Sequence, residues 1–560
     1  MATEKGVPTL DAVTLSDGAE SAPVRSRWIL LGGFLLVWIV VFLFPGRTFF
    51  GSDDSTIASI LQGTYGLSPE PRAVFINFAL GTVVSGLASV WPEIGWYGVT
   101  MWSVLGLGFG ALLVFLHQLA QGLPFAMASL LSAIALFPLL LRITFTTTSI
   151  FLGGVALIGL VAQCHLQSVA RWKYEALASL MILLSIMLRF NGALAALIVG
   201  LPAIILALWW GRLRILAVLG VWVILGCAAL GVDAIAYSSP EWSEFRTWTA
   251  ARSTLMDSQL ANLGEVRNHA GWSQNDWNVF RRHRYFDQRI FGVEAVTAGA
   301  DVAVPRRPDY DYANILRESR LWIVASVTLS LLALGRAVIQ RSWFPLWVLL
   351  ALGWTLLATF GAQWFRFRYR VYDGMVIVGL LIIVASLLIS LNRRRLGPHS
   401  ALVVAFVGLV LATAGAGHAV DRAARLSWAS FQENAQEAIE PIAKLSEDFT
   451  LLGEASALPR HWDPLRSTDT WGQVRFLSPG WYAFSPPWFA RRTALETEGA
   501  PLTLLREDVL FVSAPANGEP PSYMSTYLLE HHSIAVTPCS VDVANVKLSV
   551  WKFVDARLDC

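Results

Sequence analysis

The sequence predicts an α-helical polytopic membrane protein of about 11 transmembrane helices, with an outer juxtamembrane segment and a small α/β extracytoplasmic domain at its C-terminal end. Three observations carry that expectation. Of 560 residues, 55% are hydrophobic and only 15% charged, with a mean hydropathy of +0.53, far from the balance of a water-soluble protein. Apolar stretches long enough, or nearly so, to cross a hydrocarbon core of roughly 30 Å recur along the chain. The short loops between them carry lysine and arginine with a consistent bias.

In chain order, residues 1–27 are rich in small and acidic residues, show no core-forming pattern and read as a disordered cytoplasmic tail. The transmembrane part, 28–417, holds spans at Trp28–Pro45, Tyr97–Leu116, Leu123–Leu141, Ile150–Leu166, Ala176–Leu188, Ala193–Trp210, Ile215–Ala236, Leu321–Leu334, Phe344–Phe360, Met375–Leu391 and Ala401–Gly417. The first is not a cleaved signal, because further spans follow and no small-residue cleavage site does. A twelfth stretch, Ala73–Trp91, is interrupted by Asn77 and by glycines and serines. Four basic loops, Gln167–Lys173, Gly211–Arg214, Gly335–Arg341 and Asn392–Arg395, should all face the cytoplasm. They do so together with the N-terminus only if Ala73–Trp91 stays at the outer face, re-entrant or juxtamembrane. The outer regions are then 46–92, 237–320 and the C-terminal domain, 418–560. That domain mixes a helical stretch, Phe431–Ser446, with β-leaning runs at Val509–Ser513 and Val546–Phe553.

Composition also excludes. With 42 basic against 40 acidic residues, a net charge of +2 and no long basic run, nucleic-acid binding is not the main role. Four cysteines without a C-x-x-C pair build neither a structural zinc site nor a disulfide framework. Cys164 and Cys227 sit in apolar runs as packing residues, whereas Cys539 and Cys560 could pair in an oxidising compartment.

The residues able to carry chemistry start right after the first span, at Gly51-Ser52-Asp53-Asp54-Ser55-Thr56. Ile57, Ile60 and Leu61 follow at helical spacing, so a short amphipathic helix is expected here, lying along the outer membrane surface. Asp53 and Asp54 at its start could cap it. They could equally serve as a general base and its orienting neighbour. A first span, an outward acidic pair, a juxtamembrane helix, many spans, a long outer loop and an outer C-terminal domain together resemble the GT-C glycosyltransferases. That resemblance implies a polyprenyl-phosphate-linked sugar as donor and Asp53 or Asp54 as catalytic base. Relatives carry a basic residue and a Pro-Pro step further along this loop; here only Pro69-Glu70-Pro71-Arg72 corresponds, making Arg72 a candidate substrate-binding residue.

Charges that break the topology rule add candidates. Arg142 and Arg189 fall at the outer ends of spans, and Arg366, Arg368 and Arg370 lie between two later spans on the same side. Guanidinium groups there could snorkel to headgroups, pair with the aspartates, or hold the donor's lipid phosphate in a bidentate fork. In the mid-chain loop, Trp242, Arg252 and Asp276 combine aromatic, basic and acidic groups suited to sugar binding, although an interfacial tryptophan belt is an equal reading. His531 and His532 lack a third ligand at metal spacing and read as surface residues.

The expected function is transfer of a sugar from a polyprenyl-phosphate donor to a glycan, lipid or protein acceptor of the cell envelope, at the outer face of the plasma membrane and with inversion. No cofactor is required, and a divalent metal ion is compatible with the chemistry. The alternative is a transporter or flippase of lipid-linked saccharides. It is disfavoured because the spans hold few ionisable residues and show no inverted repeat.

Overall fold

The computed structural model describes residues 22–43, 48–49, 52–163, 171–257, 259–306, scattered positions between 371 and 388, 439–453, 465, 474–497, 501–513, 520–541, 549–558 and 560. The expected spans Leu321–Leu334, Phe344–Phe360 and Ala401–Gly417, and the loops Gly335–Arg341 and Asn392–Arg395, lie outside these residues.

The membrane part begins with α1 (Ala22–Leu43), so helix reaches further into the expected tail than residue 27. Then follow β1 (Thr48–Phe49), α2 (Ser52–Leu61), α3 (Phe78–Val90), α4 (Trp96–Leu119), α5 (Leu123–Leu141), β2 (Arg142–Ile143), α6 (Phe145–Gln163), α7 (Arg171–Leu188), α8 (Phe190–Val199) and α9 (Leu201–Ala236). Among the described residues, four helices are long and apolar enough to cross a membrane: Ser26–Leu43, Trp96–Leu119, Phe145–Gln163 and Leu213–Ala236. Helix α3, at 13 residues, is roughly 20 Å long and falls short of a hydrocarbon core. Its N-terminus hangs on the end of α9: Asn77 donates to the Ala229 carbonyl at 2.8 Å, and Asp233 accepts from the Phe78 amide at 2.7 Å. Gly81 on its inner face touches the Pro71 carbonyl so closely that a Cβ there would stand 2.0 Å from the oxygen.

Helix α9 is assigned as 36 continuous residues, yet the contacts show a reversal. Helices α6 and α7 are antiparallel, with Ser149 bonded to Ser185 and Gly159 against Ala178. Gly200 sits on Leu157 and the Trp222 indole donates to Ser179, so positions 200 and 222 lie nearly level. A straight helix would separate them by roughly 33 Å. The chain therefore descends beside α6 and returns beside α7, as expected of spans Ala193–Trp210 and Ile215–Ala236. Gly211–Arg214 lies within this reversal as helix rather than loop, and Arg214 reaches Glu175 on α7. Arg171 and Lys173, expected in a loop, form the first turn of α7.

The mid-chain region is α10 (Pro240–Asp257), β3 (Gln259–Leu260), α11 (Leu263–Ala270), α12 (Gln274–Arg281), α13 (Gln288–Phe291), α14 (Val293–Asp301) and β4 (Pro305–Arg306). Its aromatic residues interlock as a core instead of facing solvent or lipid: Trp248, Trp272, Trp277, Phe280, Tyr285 and Phe291 are buried against one another.

The C-terminal region holds α15 (Ile439–Asp448), β5 (Thr450–Gly453), β6 (Phe476–Leu477), α16 (Pro486–Ala494), β7 (Val509–Ser513), α17 (Ser522–His532), β8 (Val536–Val541) and β9 (Ser549–Asp555). The sheet runs β6-β5-β7-β9-β8, parallel at β6-β5-β7 and antiparallel beyond. Both faces are covered, which explains the unbroken apolar run of β7. Leu510 and Val512 face a small core with α15, whereas Val509 and Phe511 join the core shared with the mid-chain region. Cys539 and Cys560 form a disulfide.

Candidate active site

The β1–β2 ladder pairs Thr48 with Arg142 and Phe49 with Ile143 in parallel, tying the end of the first span to the turn between α5 and α6. Helix α2 starts just beyond, with Asp53 and Asp54 in its first turn. Its apolar face, Ile57, Ile60 and Leu61, is buried in the protein core beside Tyr97 and Met101, not on the membrane surface as expected. The reason is that α4 offers an apolar wall there, so the amphipathic face has protein to cover it.

The two aspartates have different surroundings. Asp54 is 0% exposed, and its Oδ1 accepts from the Tyr97 hydroxyl at 2.8 Å and from the Phe145 amide at 3.0 Å. Phe145 opens α6, and its amide is one of the donors a helix start leaves unsatisfied. Asp54 thus stands between two helix N-termini, its own and that of α6, where a negative charge is favoured twice. Asp53 is only half-buried. Asp54 is the clamp, and Asp53 is the more exposed carboxylate of the pair.

Arg189 reaches the same turn of α6 from the other flank. It precedes α8 in extended conformation, and its guanidinium lies 5.0 Å from the Phe145 ring centroid and 5.7 Å from that of Phe75. It also donates to the Thr146 hydroxyl, while its carbonyl accepts from Ser149 Oγ at 2.9 Å. Residues 145–149 therefore bind Asp54 through an amide and Arg189 through a ring and hydroxyls. Asp54 and Arg189, 135 positions apart in sequence, both reach Phe145, one at its amide and the other at its ring. The Arg142 backbone lies beside them in β2, and its side chain is outside the described residues. Arg366, Arg368 and Arg370 are outside them too.

A second knot supports this one. Arg72 pairs with Glu70 at 3.2 Å, donates to the Ala236 carbonyl at 2.9 Å and lies over the Trp242 ring, while its own carbonyl accepts from the Tyr482 hydroxyl at 2.6 Å. Arg72 is thus a joint between the loop that precedes α3, the end of α9 and the C-terminal domain. Burial raises the pKa of Tyr482 and of Tyr65, so both stay hydroxyl donors, Tyr65 to the Ser478 carbonyl. Val74 follows with φ +64°, the centre of a γ-turn closed by the Phe75 amide on the Ala73 carbonyl at 2.7 Å. A β-branched residue there is strained by roughly 1–3 kcal/mol. The turn delivers Phe75 onto Phe145 and against Trp481 of the C-terminal domain.

Three sequence candidates are placed elsewhere. Trp242 is 4% exposed, enclosed by Tyr237, Phe245, Tyr482 and Arg72, so its ring is core and not a sugar platform. Arg252 is buried on α10 against Trp248 and Ser253. Asp276 is fully buried in a capping box with Ser273 and bonds His531 at 2.7 Å. The S-x-x-D spacing at 273–276 was the signal for that structural role. His531 and His532 are accordingly not surface residues: they join α17 to the mid-chain loop, His532 facing Asp287 and Arg289. Asp276, Glu530 and His531 have ligand atoms within 4.8 Å of one another, but Ser273 and the His531–Asp276 bond already engage them, so the trio works as a clamp. Sequence reasoning missed Tyr97, Phe75 and Trp481. Each is an apolar or aromatic residue whose role depends on a partner far along the chain.

No protein-family model matches the chain, and neither does any curated protein. Two solved structures are similar: ArnT from Cupriavidus metallidurans bound to undecaprenyl phosphate, and the same protein in the apo state. They are 14% and 13% identical, with a TM-score of 0.40 for both, over 95% of this chain and 98% of theirs. Likeness at this level fixes neither the fold nor the function of this chain.

Proposed function

We propose that this chain is a membrane-embedded glycosyltransferase that moves a sugar from a polyprenyl-phosphate donor to a cell-envelope acceptor at the outer face of the plasma membrane, with its N-terminus in the cytoplasm. The observation that carries the reading is that Asp54, next to the half-buried Asp53 in the first turn of α2, binds the Phe145 amide, while the Arg189 guanidinium lies over the Phe145 ring. Asp53 takes the proton of the acceptor hydroxyl as its oxygen attacks the anomeric carbon. The bond from that carbon to the phosphate oxygen breaks, and Arg189 stabilises the charge that develops on the departing lipid phosphate. A single displacement inverts the configuration. Asp54 does not take part in proton transfer: it positions α2 against α6. The disulfide Cys539–Cys560 accords with an oxidising outer compartment for the C-terminal domain. The test is sugar release from a polyprenyl-phosphate donor by the purified full chain. Asp53→Asn should abolish turnover with donor binding retained, and full activity of that variant would refute the assignment.

A further inference from the structure

The loop Ser478–Ser485 of the C-terminal domain reaches across to the first outer loop and is held there rigidly. The Tyr482 hydroxyl bonds the Arg72 carbonyl, the Tyr65 hydroxyl bonds the Ser478 carbonyl at 3.2 Å, and the Tyr285 amide bonds the Pro479 carbonyl at 3.3 Å. At its tip Trp481 is 8% exposed, with its ring 4.7 Å from that of Phe75. Phe75 in turn stacks on Phe145, and Arg189 lies over both phenylalanines.

The Trp481 indole nitrogen is buried and has no hydrogen-bond acceptor among the described residues. Its neighbours show how unusual that is: the indoles of Trp248, Trp272 and Trp488 each donate to a backbone carbonyl at 2.8–2.9 Å. An indole can only donate, and a buried donor without an acceptor carries a free-energy cost that an oxygen brought by a bound molecule would offset. Thr144 Oγ1, adjacent to Phe145, is likewise buried without a partner among the described residues. Backbone strain falls on both sides of the Phe75–Trp481 contact, at Val74 with φ +64° and at Phe484 with φ +64°. Strain of this kind is kept where a side chain must be aimed.

We infer that Trp481 contacts the substrate: its indole N–H donates to a phosphate oxygen of the polyprenyl-phosphate headgroup, so the C-terminal domain completes a site otherwise built by the membrane helices. This rests on the donor class proposed above. Arg189 supplies the charge and Trp481 a directed donor, and Phe75 spaces the two.

The experiment uses the full chain in detergent with a polyprenyl phosphate that carries no sugar, reading both the binding isotherm and the thermal midpoint. Trp481→Phe keeps the aromatic packing and deletes the N–H. It should leave the midpoint of the lipid-free protein unchanged or higher, and weaken the lipid about tenfold or more. Trp488→Phe, whose N–H does have a carbonyl, should do the reverse, lowering the midpoint and sparing lipid affinity. If Trp481→Phe binds the lipid as the unaltered protein does, while Arg189→Ala is weakened, the donor class stands and this inference is lost. If the unaltered protein does not bind the lipid at all, the proposed function falls, and this inference with it.

Discussion

Replacing Asp54 by alanine separates structure from chemistry in the acidic pair. The substitution removes the acceptor that Asp54 offers to two buried donors, the Tyr97 hydroxyl and the Phe145 amide. Each costs about 1–3 kcal/mol when left without an acceptor. Loss of a negative charge beside two helix starts adds about 0.3–1 kcal/mol for each. The sum is about 3–8 kcal/mol, enough to loosen α2 from α6. Asp54→Asn keeps an acceptor oxygen and should cost much less. Tyr97→Phe should cost about 1.5–3 kcal/mol alone, as a hydrogen bond to a charged group is lost. In the Asp54→Ala background it should cost less, since the bond to Asp54 is already gone. Chemical denaturation in mixed micelles over this double-mutant cycle gives the coupling energy, and turnover is read in parallel. Asp53→Asn, by contrast, should hold its stability and lose about 10²–10⁴ in rate. If Asp54→Asn is fully stable and dead while Asp53→Asn turns over normally, the base and the clamp have been assigned the wrong way round.

The Arg189 site predicts that Arg189→Ala weakens polyprenyl-phosphate binding about tenfold or more in titrations, and that Arg189→Lys restores it only in part, because the fork is lost. Gly81→Ala should displace the loop at Pro71, where the new Cβ would stand 2.0 Å from a carbonyl oxygen, and should lower the thermal midpoint together with activity. Burial first, then the charge of Arg289, lowers the His532 pKa despite Asp287, with His531 also facing it. Its contribution to stability is therefore complete above the ordinary histidine value of about 6.5 and is lost as pH falls through the lowered folded value, so a His532→Gln melting profile should be flatter over that window than that of the unaltered protein. Asp287 opposite it is held low, burial being outweighed by hydrogen bonds from Arg289 and Tyr527, so its contribution is lost only at still lower pH. Cysteines placed at residues 171 and 239 should be labelled from the cytoplasmic and outer sides respectively; outer labelling at 171 would mean that α3 belongs to a spanning segment.

Much of the fold was legible because membrane helices and sheet strands write their own patterns. The ends of α7 at Leu188 and of α9 at Ala236 coincide with the ends of expected apolar runs, and β7 with the expected Val509–Ser513. Charge bias puts Ala73–Trp91 at the outer face, and its helix, α3, has 13 residues. Neither sugar binding nor an interfacial belt describes the tryptophans of the mid-chain region. Residues 240–306 hold enough tryptophan and phenylalanine to bury one another, and once a chain can build an apolar core its aromatic residues serve that core before they serve a ligand. Trp242 and Asp276 were therefore named for a substrate when each already had protein partners.

The acidic pair shows why the finer choice could not be made from the sequence. Asp53 and Asp54 are adjacent, identical and in the same helical turn, so nothing local distinguishes them. What separates them is the Phe145 amide, 91 positions away, and the Tyr97 hydroxyl, 43 positions away. A helical turn rotates neighbours by about 100°. If one side chain is aimed at the start of α6, the other must point well away from it, and the β1–β2 ladder decides which by setting where α2 begins relative to α6. A one-residue shift there would move one aspartate into the other's place and leave the vacated role to a neighbouring serine, Ser52 or Ser55. Deleting one residue between Phe50 and Asp53 should thus put Ser55 in the clamp position and lower the thermal midpoint, a loss that Asp53→Asn would not show.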